Sequence, residues 1–85
     1  MNDMPDDVKE HINVAAYYMT QENLPYDTLC WMLAERRLVV ENHFTQPPQE
    51  LVMQKSAELY HSCVEYDILC WLIAELDFII KKNSD

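Results

Sequence analysis

Tyr26-Asp27-Thr28-Leu29-Cys30-Trp31-Met32-Leu33-Ala34-Glu35 is answered forty residues later by Tyr66-Asp67-Ile68-Leu69-Cys70-Trp71-Leu72-Ile73-Ala74-Glu75. Seven of the ten positions are identical, and the other three exchange Thr for Ile, Met for Leu and Leu for Ile. The same offset sets Glu10 on Glu50, Ile12 on Val52, Met19 on Leu59, Leu24 on Val64, and Leu38-Val39-Val40 on Phe78-Ile79-Ile80. Equal apolar spacing implies equal folding, so the chain reads as a duplicated unit, with repeat 1 at about 5–42 and repeat 2 at about 47–82. A unit this short cannot bury its own apolar face. The two copies are expected to pack on each other, on a second chain, or on both.

The whole chain, 85 residues, makes one domain. Hydrophobic residues make up 49% and charged residues 25%, too apolar a mixture for a disordered chain. There is no glycine, which removes the usual donor of positive φ in tight hairpins, while Leu, Ala, Met, Glu and Gln favour helix. The expected class is all-α: a duplicated helical hairpin forming a four-helix bundle.

Taken in order, Asp3, Pro5, Asp6 and Asp7 suit a helix's first turn, where acids face the positive end of the dipole. Val8, Ile12, Ala15, Ala16 and Met19 mark one face of a first helix running from about Pro5 to Glu22, with His11 and Tyr18 bordering it and Tyr17 pointing away. Asn23-Leu24-Pro25 closes that helix and opens the next, with Asn23 as its cap. In the second helix Tyr26, Leu29, Cys30, Leu33 and Val40 share an inner face, flanked by a Trp31 and Leu38 stripe and a Met32 and Val39 stripe. Pro47-Pro48 restarts helix after a polar turn. The position equivalent to Pro25 is Glu65, so punctuation leaves open one continuous helix to Lys82 where duplication demands a break near 62–65.

The last segment is apolar nearly all round, and such a helix must be buried nearly all round. A single small bundle offers few such places, so self-association as a homodimer is expected, through Trp31, Leu38, Trp71, Leu72, Phe78 and Ile79. Arg37 and Asp77 occupy equivalent inner positions of the two copies. Packing about a pseudo-twofold would bring them together as an ion pair that fixes the register of the halves.

Fifteen acids against six bases leave a net charge of −9. Bare nucleic acid and anionic membrane surfaces would be repelled, and a basic protein is the expected partner. Met1 to Asp7 lacks the basic and apolar regions of a secretory leader, and the run from Ile68 to Ala74 is far shorter than the roughly 20 residues of a bilayer span. A cytoplasmic setting with free thiols is expected. Cys30 and Cys70 read as small core hydrophobes, because no Lys, Arg or His is spaced to activate them. No C-x-x-C or H-x-x-x-H spacing suggests a metal, and a glycine-free chain has no phosphate loop or nucleophile elbow, so neither cofactor nor enzymatic activity is expected.

The forty-residue period does not fit tetratricopeptide repeats, and two uncapped units would make a poor solenoid. In size and charge alone the chain resembles inhibitors, immunity proteins, antitoxins and phage-encoded blockers of host machinery, a likeness that carries no residue over. The expected function is an inhibitor or regulatory adaptor that binds a basic protein. The alternative is a homo-oligomeric structural subunit or small chaperone whose acidic surface serves solubility.

Overall fold

The computed structural model describes residues 6–83, which form four helices and no strand: α1 (Asp6–Gln21), α2 (Tyr26–Glu41), α3 (Gln49–Ser62) and α4 (Tyr66–Asn83). Asp6 and Asp7 do sit in the first turn of α1, whereas Asp3 and Pro5 lie outside the described residues. α3 and α4 are separate helices. The chain breaks at Cys63, whose left-handed backbone (φ 57°) ends α3, and it breaks forty residues earlier in the same way at Asn23 (φ 55°). Asn23 therefore closes α1 rather than capping α2. α2 begins without a side-chain cap, and the first turns of the two motif helices close alike, Leu29 N–H donating to the Pro25 carbonyl (3.1 Å) and Leu69 N–H to that of Glu65 (3.0 Å).

Between the halves, His43 and Phe44 are both left-handed (φ 56° and 63°), in a chain with no glycine to take such positions. Each such L-residue costs roughly 1–2 kcal/mol. The strain is offset by bonds that satisfy orphan carbonyls of α2: Asn42 N–H to Leu38 (2.8 Å) and Phe44 N–H to Val39 (2.7 Å).

The packing crosses the halves. α2 lies on α4, α1 lies on α4, and α3 lies on α2, while helices joined by the short links do not lie along each other. Each opening helix therefore docks on the other half's motif helix, so neither half is a closed hairpin. The reason is the common direction of α2 and α4. At one end the Tyr26 hydroxyl donates to the Val64 carbonyl and the Tyr66 hydroxyl to the Leu24 carbonyl (2.5 Å each); at the other, Arg36 Nε meets Asp77 Oδ1 at 2.8 Å. Two parallel helices present their outer flanks on opposite sides, and α1 and α3 each cover one.

The central seam holds Leu29, Cys30 and Leu33 from α2 and Leu69, Cys70 and Ile73 from α4, all fully buried, with Ile12 and Ala16 of α1 joining them. A smaller cluster joins Ala34 and Leu38 of α2 to Val52 of α3, under Trp31. Ile12, in the central seam, and Val52, in the smaller cluster, are the offset equivalents noted in the sequence, and each is buried where its helix meets a motif helix. Because α4 is covered by α1 on one flank and α2 on another, its nearly uniform apolar surface is largely shielded within one chain.

Candidate protein-docking cleft

The six residues expected to form an interface are all partly or fully shielded. Leu38 is buried; Trp31, Trp71, Leu72 and Phe78 are half-buried and pack against the core clusters; Ile79 is half-buried beyond them. Phe78 is also flanked by the His11 ring, 5.4 Å between centroids, and by Lys82 Nζ at 5.8 Å. The ion pair across the seam is Arg36 with Asp77, not Arg37 with Asp77. Along α2 the inner line runs through Leu29 and Leu33 and reaches Arg36 three residues on. Arg37 lies about 100° further round the helix and has no ion pair among the described residues. Arg36 is also 3.5 Å from Glu35, which accepts a further bond from Gln46 (3.3 Å).

The two motif cysteines are interior groups. Burial pushes both thiols above their ordinary range, and the neighbouring carboxylates Asp27 for Cys30, and Asp67 and Glu22 for Cys70, push the same way. Such thiols stay protonated and unreactive at neutral pH. Burial likewise raises Tyr26 and Tyr66, which keeps their hydroxyls available as donors. Cys63 is exposed, and no two of the three cysteines are bonded. Among the described residues there is no group of three or more His, Cys, Asp or Glu arranged to hold a metal.

What remains exposed is more informative. On α1, Val14, Tyr17 and Tyr18 form a stripe 47–64% exposed, and the Tyr17 and Tyr18 rings meet edge to face at 5.7 Å. On α4, Ile68 is 46% exposed although the sequence placed it in an apolar run. Tyr17, Ile68 and Trp71, with Asn13, Ala16, Thr20 and Asp67, line a cleft of about 450 Å³ between α1 and α4. The Trp71 indole at its floor donates to Asn13 Oδ1 at 2.6 Å, which fixes the ring.

Trp31 stands at the equivalent place in the other half but is set differently. Met53 replaces Asn13 there, and the Trp31 indole has no hydrogen-bond partner among the described residues. Sequence reasoning singled out the tryptophans and Tyr17 but passed over Val14, Ile68 and Asn13. The forty-residue offset sets Asn13, Val14, Tyr17, Tyr18 and Ile68 against Met53, Gln54, Ala57, Glu58 and Thr28, but it equally sets the exposed Leu51, Met53 and Tyr60 of α3 against polar His11, Asn13 and Thr20, so mismatch alone does not pick out the cleft.

This is a small all-α protein with a four-helix packing, and no described helix is long and apolar enough to cross a membrane. Compared with protein-family models, curated proteins and solved structures, the chain matches none.

Proposed function

We propose that this chain is a cytoplasmic protein-binding protein, an inhibitor or regulatory adaptor of the immunity-protein, antitoxin or host-factor-blocking kind, whose acidic exterior engages a basic protein. The observation that carries this reading is an open cleft with aromatic and aliphatic walls on a chain of net charge −9. Aromatic side chains give contact area at small entropic cost, and the surrounding acids would steer a cationic partner. Three unbonded cysteines suit a reducing compartment. The reciprocal tyrosine bonds across the seam support reading the halves as copies of one ancestral unit.

A second reading, homo-oligomeric assembly as a structural subunit or small chaperone, draws on Val39, Val40, Ile79 and Ile80. These residues at the far ends of α2 and α4 are half-buried and lie outside both core clusters, where a homodimer could cover them. Immobilised protein, challenged with lysate at low and high salt, separates the two. Retention of a specific basic protein that salt releases supports the first reading. A dimer in sedimentation with no retained basic protein replaces it with the second.

A further inference from the structure

We propose that the chain exchanges halves with a second copy of itself, opening at the turn between α2 and α3 to give an intertwined dimer in which the contacts of the seam are kept but run between chains. This goes beyond both readings above and rests on neither.

The packing that holds the fold runs from one half to the other. α1 lies on α4, α2 on α4 and α3 on α2, while α1 does not lie along α2, nor α3 along α4. Both buried clusters draw on the two halves, Ile12 with Ile73 in one and Leu38 with Val52 in the other. The hydrogen bonds of Tyr26 with Val64, Tyr66 with Leu24, Arg36 with Asp77 and Trp71 with Asn13 cross in the same way. A half taken alone is therefore two helices that do not bury each other, and what buries them is the other half. Every copy of the chain carries that other half, so a neighbour can supply the same contacts as the chain itself.

The connection decides which of the two is used. The halves are joined through 42–48, and a tether favours the chain's own half by the effective concentration it creates. A tether that strains in order to close gives part of that advantage back. His43 and Phe44 are both left-handed (φ 56° and 63°), where glycine would sit without steric penalty and this chain has none. Residues 41–46 are all exposed, and bonds that close the turn, such as Thr45 Oγ1 to the Asn42 carbonyl (2.6 Å) and Gln46 Nε2 to Glu35 (3.3 Å), can pass to water when it opens. Straightening these residues thus forfeits no buried contact of their own. Pro47 and Pro48 keep the opened segment from fusing α2 and α3 into one helix, so it serves as an extended crossover. The links at 22–25 and 63–65 each hold a single left-handed residue, Asn23 and Cys63, and lie within a half rather than between halves.

Because exchange breaks the whole seam, it proceeds through unfolding, and monomer and dimer should persist side by side once folded. The test refolds the full chain from urea at micromolar and at millimolar concentration and reads the products by sedimentation. The higher concentration should give a dimer that returns to monomer on dilution only at the unfolding rate. Arg36→Cys with Asp77→Cys and Cys63→Ser, treated with a short bis-maleimide, then shows which chain supplies the facing half, since Arg36 Nε and Asp77 Oδ1 meet at 2.8 Å while Cys30 and Cys70 are buried. Cross-links should be internal in the monomer and between chains in the dimer. His43→Gly with Phe44→Gly should relieve the turn and weaken dimer formation at least ~10-fold. Deletion of Thr45 and Gln46 should strengthen it, and the glycine variant keeps the test decisive if the shortened chain does not fold. Monomer alone at every concentration overturns the exchange. So do dimers whose cross-links stay within each chain, an outcome that leaves standing the homo-oligomer reading in which closed copies meet by their ends. A glycine variant that dimerises as strongly as the parent overturns the strained turn as the cause.

Discussion

If each opening helix is held by one anchor on the opposite half's motif helix, cutting back the anchors should cost stability in proportion to what each buries. Ile12 is fully buried and Val52 nearly so, at 0% and 2% exposure. Ile12→Ala removes three carbons, worth about 2.4 kcal/mol at about 0.8 kcal/mol per methylene, and the residual cavity raises the loss to about 3–4 kcal/mol. Val52→Ala removes two carbons, about 1.6 kcal/mol before the cavity and about 2–3 kcal/mol with it. For a chain of this length total stability is about 4–13 kcal/mol, so Ile12→Ala alone removes a large share.

Urea unfolding followed by tryptophan fluorescence and circular dichroism reads this directly. With a slope of about 1–3 kcal/mol per molar urea, a 3 kcal/mol loss lowers the midpoint by ~1–3 M without changing the slope. The two anchors lie in separate buried clusters, so the double variant should be additive within about 0.5 kcal/mol. Val14→Ala, two residues from Ile12 but 47% exposed, should stay within about 0.5 kcal/mol of the parent. The packing argument fails if Ile12→Ala costs under about 1 kcal/mol, or if Val14→Ala costs as much.

Further outcomes follow from the same geometry. In native protein a thiol reagent should modify Cys63 quickly, and Cys30 and Cys70 only at the rate of unfolding; stoichiometric labelling of all three before unfolding would contradict the burial of the seam. Arg36→Ala should destabilise by no more than about 1 kcal/mol, because the pair is partly exposed, and the effect should shrink in high salt; Arg37→Ala should do less. Tyr26→Phe and Tyr66→Phe should each lower the melting temperature by similar amounts, since each removes one of two equivalent cross-half bonds; a large disparity would show that the ends are not equivalent. Stability should fall as pH rises past the ordinary cysteine range. The folded state holds the thiol and phenol protons of Cys30, Cys70, Tyr26 and Tyr66 more tightly, so the unfolded chain releases them first, and a stability curve flat from pH 8 to 11 would refute this.

The inner face was legible because it repeats. Leu29, Cys30 and Leu33 with Leu69, Cys70 and Ile73 follow from two copies of one pattern, and helix follows from a glycine-free chain rich in helix formers. The break between α3 and α4 was signalled by the offset but hidden in the residues, because Cys63 takes a left-handed position that neither Gly nor Pro announces. The identity of each helix's neighbour was not legible. Short links between successive helices suggest hairpins, and nothing local reveals that α2 and α4 run side by side in the same direction, sending α1 and α3 to opposite partners. Missing that, the sequence reading needed a second chain to shield the Trp71, Leu72 and Phe78 flank, which α1 and the core partly cover. The one-residue error at Arg37 has the same root: an offset in sequence relates positions but does not say which side chain reaches the facing helix, and Arg36 does.

The repeat also separates what the fold needs from what it tolerates. Several apolar positions that agree across the offset, such as Ile12 with Val52 or Ala34 with Ala74, are buried and explain themselves by packing. Where the halves disagree at exposed sites, packing has no preference, and an apolar residue there incurs a solubility cost without a folding gain. Val14, Tyr17 and Tyr18 of α1 and Ile68 of α4 are such residues, and so are Leu51, Met53 and Tyr60 of α3. Tyr17 and Ile68 line the cleft beside Trp71, while Leu51, Met53 and Tyr60 stand exposed on α3, so packing leaves apolar surface on both halves and contact with another molecule is what would give it a use.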